Sequence, residues 1–162
     1  MFILLFATSV AAGCATLREP RSAAPEPLDG AGRPPQSASV TEAAVIALSL
    51  VGTPYSAGGA APETGFDCSG LVAYVFARAA QVELPRNTFD LARATAAIDS
   101  AALRPGDLVF YNTQRRAFSH VGIYLGEARF VHAPSTGGAV RVEDMRVGYW
   151  TQRFDGARRL SF

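Results

Sequence analysis

Apolar residues along this chain follow two periods, and the change between them falls near Pro105-Gly106. Before it, residues 41–51 carry apolar side chains at 44, 45, 48 and 51, which predicts an amphipathic helix with Thr41 as its N-cap. Residues 52–65, rich in Gly, Pro, Ser and Thr, read as a loop. From Cys68 to Ala80 the chain is apolar on nearly every side, which predicts a helix buried in the core. A third, shorter helix fits residues 87–97, after Pro85. Beyond Pro105-Gly106, β-branched and aromatic runs at 107–111, 119–125, 129–133 and 139–142 predict strands, and a last strand fits 157–161. Helices first and strands afterwards predict an α+β domain, with N-terminal helices packed on an antiparallel β-sheet of about five strands.

The N-terminal part has no such pattern. Residues 1–13 are apolar or small and uncharged, and they end in Ala11-Ala12-Gly13-Cys14. The run is too short to span a bilayer as a helix, but it fits the apolar core and small-residue end of a secretory signal. Its end resembles a bacterial lipoprotein processing site, at which Cys14 would be lipidated and become the mature N-terminus. Two features depart from that pattern: Ala11 stands where a larger aliphatic is usual, and no Lys or Arg precedes the run. Residues 15–39 hold five prolines and no hydrophobic periodicity, as expected of a disordered tether that reaches at most about 80 Å. The expected organisation is a signal or lipoprotein segment (1–14), a Pro-rich tether (15–39) and one folded domain (40–162).

Composition narrows the function. A chain of 162 residues, 49% hydrophobic, suits one domain with a real core. A formal net charge of +1 gives no field that would recruit nucleic acid or a strongly acidic partner. If Cys14 carries lipid, Cys68 is the one thiol left in an exported chain. An unpaired thiol in an oxidising compartment is a hazard unless its reactivity is used.

Cys68 begins its helix in Phe66-Asp67-Cys68-Ser69-Gly70, where backbone N–H groups lack intrahelical partners and their partial positive charge favours thiolate. The chain has two histidines, His120 and His132, both in strand-like segments downstream. Alternation puts His120, Gly122 and Tyr124 on one face, with Val121, Ile123 and Leu125 on the other. A hairpin centred near Gly126 would set His120 and His132 directly opposite, and Gly122 would leave room for a substrate groove. A one-residue slip would separate the rings. Such a trio suits a thiol nucleophile (Cys68), a base (His120) and a group that orients the base (His132). The plainer readings are a structural buried thiol and partly buried core histidines. A zinc site is chemically possible, but the spacings match no compact ligand motif, so no metal is expected. Gly58-Gly59 reads as a turn, and Arg115-Arg116 as a solvated loop tip.

Six segments in order carry a resemblance: GTPYSAGG (52–59), FDCSGLV (66–72), LPRNTFDLA (84–92), RPGDLVFYN (104–112), SHVGIYLG (119–126) and FVHAPSTGG (130–138). With them the chain resembles the NlpC/P60 cysteine peptidases, papain-like peptidoglycan hydrolases, from about residue 41 to its end. The ending, YWTQRF with ARRL, is most similar to the Spr-type murein endopeptidase lipoproteins. The resemblance implies Cys68, His120 and His132 as the catalytic triad, with Tyr55 by the nucleophile for substrate or oxyanion. It implies that Asp67, which also suits helix capping, and Ser69 line the pocket for the substrate's amine and backbone. Arg86 matches a family position as well, and a site function and a structural ion pair remain open for it.

The resemblance further implies cleavage of peptidoglycan stem peptides without metal or organic cofactor, with the D-Ala–meso-diaminopimelate crosslink as favoured bond. A γ-D-Glu–diaminopimelate endopeptidase is the main alternative. A non-catalytic wall-binding lipoprotein and an acyltransferase on a related scaffold are further ones. The expected setting is the cell envelope, as a monomer lipid-anchored through Cys14. Ala15 in place of Asp after that cysteine fits an outer membrane facing the periplasm.

Overall fold

The helix that carries Cys68 is the pivot of the structure, a computed structural model that describes residues 36–135 and 138–161. These lie within one unit, Arg33–Phe162. The expected lipidation site, Cys14, and residues 15–35 of the expected tether lie outside the described residues.

Helix α1, Gln36–Ser49, runs through the expected N-cap Thr41 and takes in residues 36–39 of the segment read as tether. Its buried seam is also rotated from the expected one. Ala43 and Ala47 are fully buried, whereas Val45 and Leu48 face solvent. Small side chains on this seam allow α1 to lie close against α2. Helix α2, Cys68–Ala80, matches the sequence expectation at both ends. Asp67 caps it, its carboxylate accepting from the Gly70 N–H at 2.6 Å. Gln81 ends it in the left-handed conformation, φ 54°.

Between the helices, the segment expected to be all loop forms a small hairpin of β1, Ala60–Ala61, and β2, Gly65–Phe66. Helix α3 is only Thr88–Arg93, capped by Asn87, and not the longer helix expected over 87–97. The Thr95 hydroxyl donates to the Leu91 carbonyl at 2.8 Å, and the chain then leaves as strand β3, Ala96–Ile98. Pairing with a distant strand thus overrides the helical propensity of Ala96 and Ala97.

The main sheet has six strands in the order β3-β8-β4-β5-β6-β7, with every neighbouring pair antiparallel. Its later members are β4 (Leu108–Tyr111), β5 (His120–Gly126), β6 (Arg129–His132), β7 (Arg141–Asp144) and β8 (Phe154–Arg159). A four-residue helix, α4 (Gly148–Thr151), precedes β8. Leu108, Phe110, Val121, Ile123 and Val131 face α1 and α2 and form the main core with them. Val109, Tyr111 and Phe130 occupy the opposite face, under Trp150 of α4. An ion pair between buried Asp107 and half-buried Arg159 ties the start of β4 to β8. Asp107 receives both Nε and Nη2 of Arg159, each at 2.7 Å, and the Arg104 N–H at 2.6 Å.

The β5–β6 register departs from the expected one by two residues. Ile123 pairs with Val131 and Tyr124 with Phe130, so His132 lies diagonal to His120 rather than directly across. The cause is the turn. Glu127 and Ala128 both take positive φ (52° and 58°), which moves the hairpin centre past Gly126, and an irregularity follows between Tyr124 and Gly126. An even shift keeps both histidines on one face. Gly122 does not open a groove, because a Cβ there would collide with the Phe130 ring.

Candidate active site

Each functional side chain sits at the end of a regular element. Cys68 is the first residue of α2, His120 the first of β5 and His132 the last of β6. All three line a single groove of about 390 Å³, together with Tyr55, Arg141 and Trp150. The structure therefore brings together four of the expected site residues.

The two imidazoles are in direct contact. His120 Nε2 lies 2.7 Å from His132 Nδ1, with the ring planes at 89°. Nδ1 is then the His120 nitrogen left for the thiol. For Nδ1 to accept a proton, His120 must carry hydrogen on Nε2 and donate it to His132 Nδ1, which puts the His132 proton on Nε2. His132 is 1% exposed, and its Nε2 has no partner among the described residues. The indole of Trp150 stacks on His120 (centroids 6.0 Å, planes 25°) and meets His132 edge-on at 5.0 Å.

The sulfur environment corrects the expectation of a ready thiolate. Burial and the Asp67 carboxylate push the Cys68 thiol up to about 11. Backbone N–H groups of Val121, Ser69 and Cys68 itself pull the other way, as the helix start suggested, but do not prevail. Burial first, then the Arg141 charge, lowers His120 to about 4. Burial, His120 and Arg141 lower His132 to about 2. The resting site at neutral pH is a thiol beside two neutral imidazoles. The arrangement suits an attack in which sulfur loses its proton to His120 as the new bond forms.

Tyr55 is held over the groove by a clamped loop. Its N–H donates to the Gly138 carbonyl, and Gly52 and Thr53 exchange hydrogen bonds with Val140, all at 2.8 Å. The Tyr55 pKa is raised by burial, then by Cys68 and Asp67, so the phenol keeps its hydrogen for donation.

Asp67 and Ser69 are not part of the groove lining. Asp67 is engaged as the α2 cap. The Ser69 hydroxyl is 2.9 Å from Asp67 Oδ1 and 2.8 Å from the Arg86 carbonyl. Arg86 makes contacts of the structural kind. Its Nη2 donates to the Gly58 and Gly59 carbonyls at 3.1 and 3.3 Å and lies 3.9 Å from Asp67. The three residues fasten the Tyr55 loop to the start of α2. Gly70 permits the fastening, since a Cβ there would strike the Gly59 carbonyl oxygen.

Sequence reasoning gave no role to Trp150, Arg141 or Glu143, all groove residues. Trp150 had one available signal, as the only tryptophan of the chain. Among the described residues, no group of three or more His, Cys, Asp and Glu side chains is arranged to hold a metal ion.

A helix-borne thiol that shares one groove with two contacting imidazoles at the end of an antiparallel sheet fits a papain-like α+β fold. The chain belongs to the NlpC/P60 family, whose model matches residues 52–159. It is 38% identical over 130 residues to murein DD-endopeptidase MepH of Escherichia coli (strain K12), covering 76% of this chain and 48% of that protein. It is 42% identical over 106 residues to the bifunctional muramidase/DL-endopeptidase CwlT of Bacillus subtilis (strain 168), covering 64% and 31%. The crystal structure of the NlpC/p60 domain of peptidoglycan hydrolase SagA superposes with a TM-score of 0.63 at 32% identity, covering 78% of this chain and 99% of that one. The chain thus spans about half the length of MepH and less of CwlT.

Proposed function

We propose that this protein is a cysteine endopeptidase that cleaves amide bonds in peptidoglycan stem peptides. The observation that carries the reading is the 2.7 Å His120–His132 contact in a groove shared with Cys68. Cys68 Sγ attacks the amide carbonyl as its proton passes to His120 Nδ1. The carbonyl oxygen becomes an oxyanion, for which the Cys68 backbone N–H and the Tyr55 hydroxyl are donors. The C–N bond then breaks as His120 returns the proton to the leaving amine. Water, deprotonated by His120, hydrolyses the thioester and restores the thiol. His132 holds His120 in the required tautomer throughout. Asp67 and Ser69 act by holding the Tyr55 loop.

The favoured bond is the D-Ala–meso-diaminopimelate crosslink, supported by the likeness to a relative named a DD-endopeptidase. The likeness to a DL-endopeptidase favours the γ-D-Glu–diaminopimelate bond as second reading. The site of action is the cell envelope, with Cys14 lipidated, the protein a monomer anchored at the outer membrane and facing the periplasm.

Digestion of purified crosslinked sacculi, followed by mass analysis of released muropeptides, tests this. Loss of crosslinked dimers supports the favoured bond, and new dipeptide fragments support the second. Sacculi left unchanged by a folded protein would refute the hydrolase reading.

A further inference from the structure

Strand β7 is the edge of the six-stranded sheet, and it brings a pair of opposite charges to the groove. Arg141 lies across from His132 in register, and Glu143 across from Phe130. Directly opposed residues share a face, so both charges stand on the histidine side of the sheet. Among the described residues lining the groove, Arg141 is the one arginine and Glu143 the one carboxylate.

The pair is asymmetric. Glu143 Oε1 accepts from Arg141 Nε at 2.7 Å, and neither terminal amino group of Arg141 has a partner among the described residues. The Arg141 side chain is 50% exposed and that of Glu143 27%. An exposed ion pair of this kind contributes little to stability. What it does is fix the guanidinium plane and leave two parallel N–H donors open. That fork matches a carboxylate. Arg141 pairs across from His132 and lines the same groove as Cys68 and His120, so the fork lies close to where a scissile amide must sit.

We propose that Arg141 is a specificity-determining residue that binds a substrate carboxylate flanking the scissile amide, with Glu143 as its positioning residue. The inference rests on the peptidoglycan reading above and deepens it. In the D-Ala–diaminopimelate crosslink, the D-centre of diaminopimelate bears a carboxyl on the same carbon as the scissile nitrogen. Arg141 selects for that carboxyl in its free form over its carboxamide.

Two crosslinked muropeptides that differ only at this group, carboxylate against carboxamide, test the proposal. The full-length protein is expected to show a KM about tenfold lower for the carboxylate. In Arg141→Gln the two KM values converge. Arg141→Lys keeps part of the preference, since it retains charge and loses the fork. Glu143→Gln also reduces it. Any change in kcat from the altered field on the histidines falls on both substrates alike and cancels in the comparison. A preference that survives Arg141→Gln, or its absence from the wild type, overturns the proposal. If the wild type cuts neither, the peptidoglycan reading fails at this bond. Titration of both into the Cys68→Ala protein then decides the inference alone: a tenfold affinity ratio supports it and equal binding overturns it.

Discussion

The indole of Trp150 lies nearly parallel to the His120 ring and edge-on to His132, so one buried aromatic braces both imidazoles. A neutral imidazole can hydrogen-bond through either nitrogen, and rotation would lose the contact that leaves His120 Nδ1 for the thiol. Packing by Trp150 removes that freedom. Trp150→Ala is expected to lower kcat at least tenfold, with a loss of about 3–5 kcal/mol in denaturant unfolding. Trp150→Phe should recover most of both. Full kcat in a folded alanine variant would show that the indole does not position the base.

In the proposed mechanism His132 acts through its hydrogen bond to His120. Replacement by alanine is expected to reduce kcat by about 10²–10⁴, the range that tracks a mispositioned base. His132→Asn, which offers a side-chain carbonyl to His120 Nε2, should restore part of the rate with KM little changed. Equal rates for the two variants would remove the orienting role.

The Cys68 thiol, raised to about 11, is protonated at neutral pH. Its alkylation by iodoacetamide should be slow at pH 7 and rise steadily towards pH 11, because only the thiolate reacts. A rapid rate that is already flat at pH 6 would instead mean a preformed thiolate–imidazolium pair.

Both histidines are held below their ordinary value of 6.5, His120 at about 4 and His132 at about 2. The unfolded chain therefore binds more protons between pH 6.5 and 4, and folding stability falls as pH drops through that window. Each histidine contributes a slope of up to about 1.4 kcal/mol per pH unit. Urea unfolding at pH 7 and pH 5 measures it, and His132→Asn should show a shallower fall.

Asp107 is 2% exposed and fully engaged by Arg159 and the Arg104 N–H. Asp107→Ala removes the carboxylate partner of Arg159 and the acceptor for the Arg104 N–H, and is expected to destabilise the fold by about 1–3 kcal/mol. Activity per folded molecule should be unchanged at low temperature, since neither Asp107 nor Arg159 lines the groove.

Much of this site is written locally in the sequence. The bounds of α2 follow from an Asp67 cap and a continuous apolar run, both short-range signals, whereas the shared face of the two histidines needs an even β5–β6 register as well as strand alternation. What failed depends on partners far along the chain. Ala43 and Ala47 outrank Val45 and Leu48 on α1 because close approach to α2 favours small side chains over apolar ones. Residues 96–98 become a strand only because β8 is there to pair with them. The diagonal register came from positive φ at Glu127 and Ala128, residues that carry no strong turn signal. Nothing local in the sequence marks Arg141 and Glu143, which only the pairing with β6 sets across from His132 and Phe130. The thiol state was misjudged for a related reason, since a helix start is visible in sequence and the burial that outweighs it is not.

The most direct measurement compares wild-type and Cys68→Ala proteins on one crosslinked muropeptide dimer, with products resolved by mass and the fold of each checked by thermal melting. Wild type should convert the dimer to monomers, while a folded Cys68→Ala protein yields none above a protein-free control. Conversion at the wild-type rate by the alanine variant would contradict the covalent thiol mechanism.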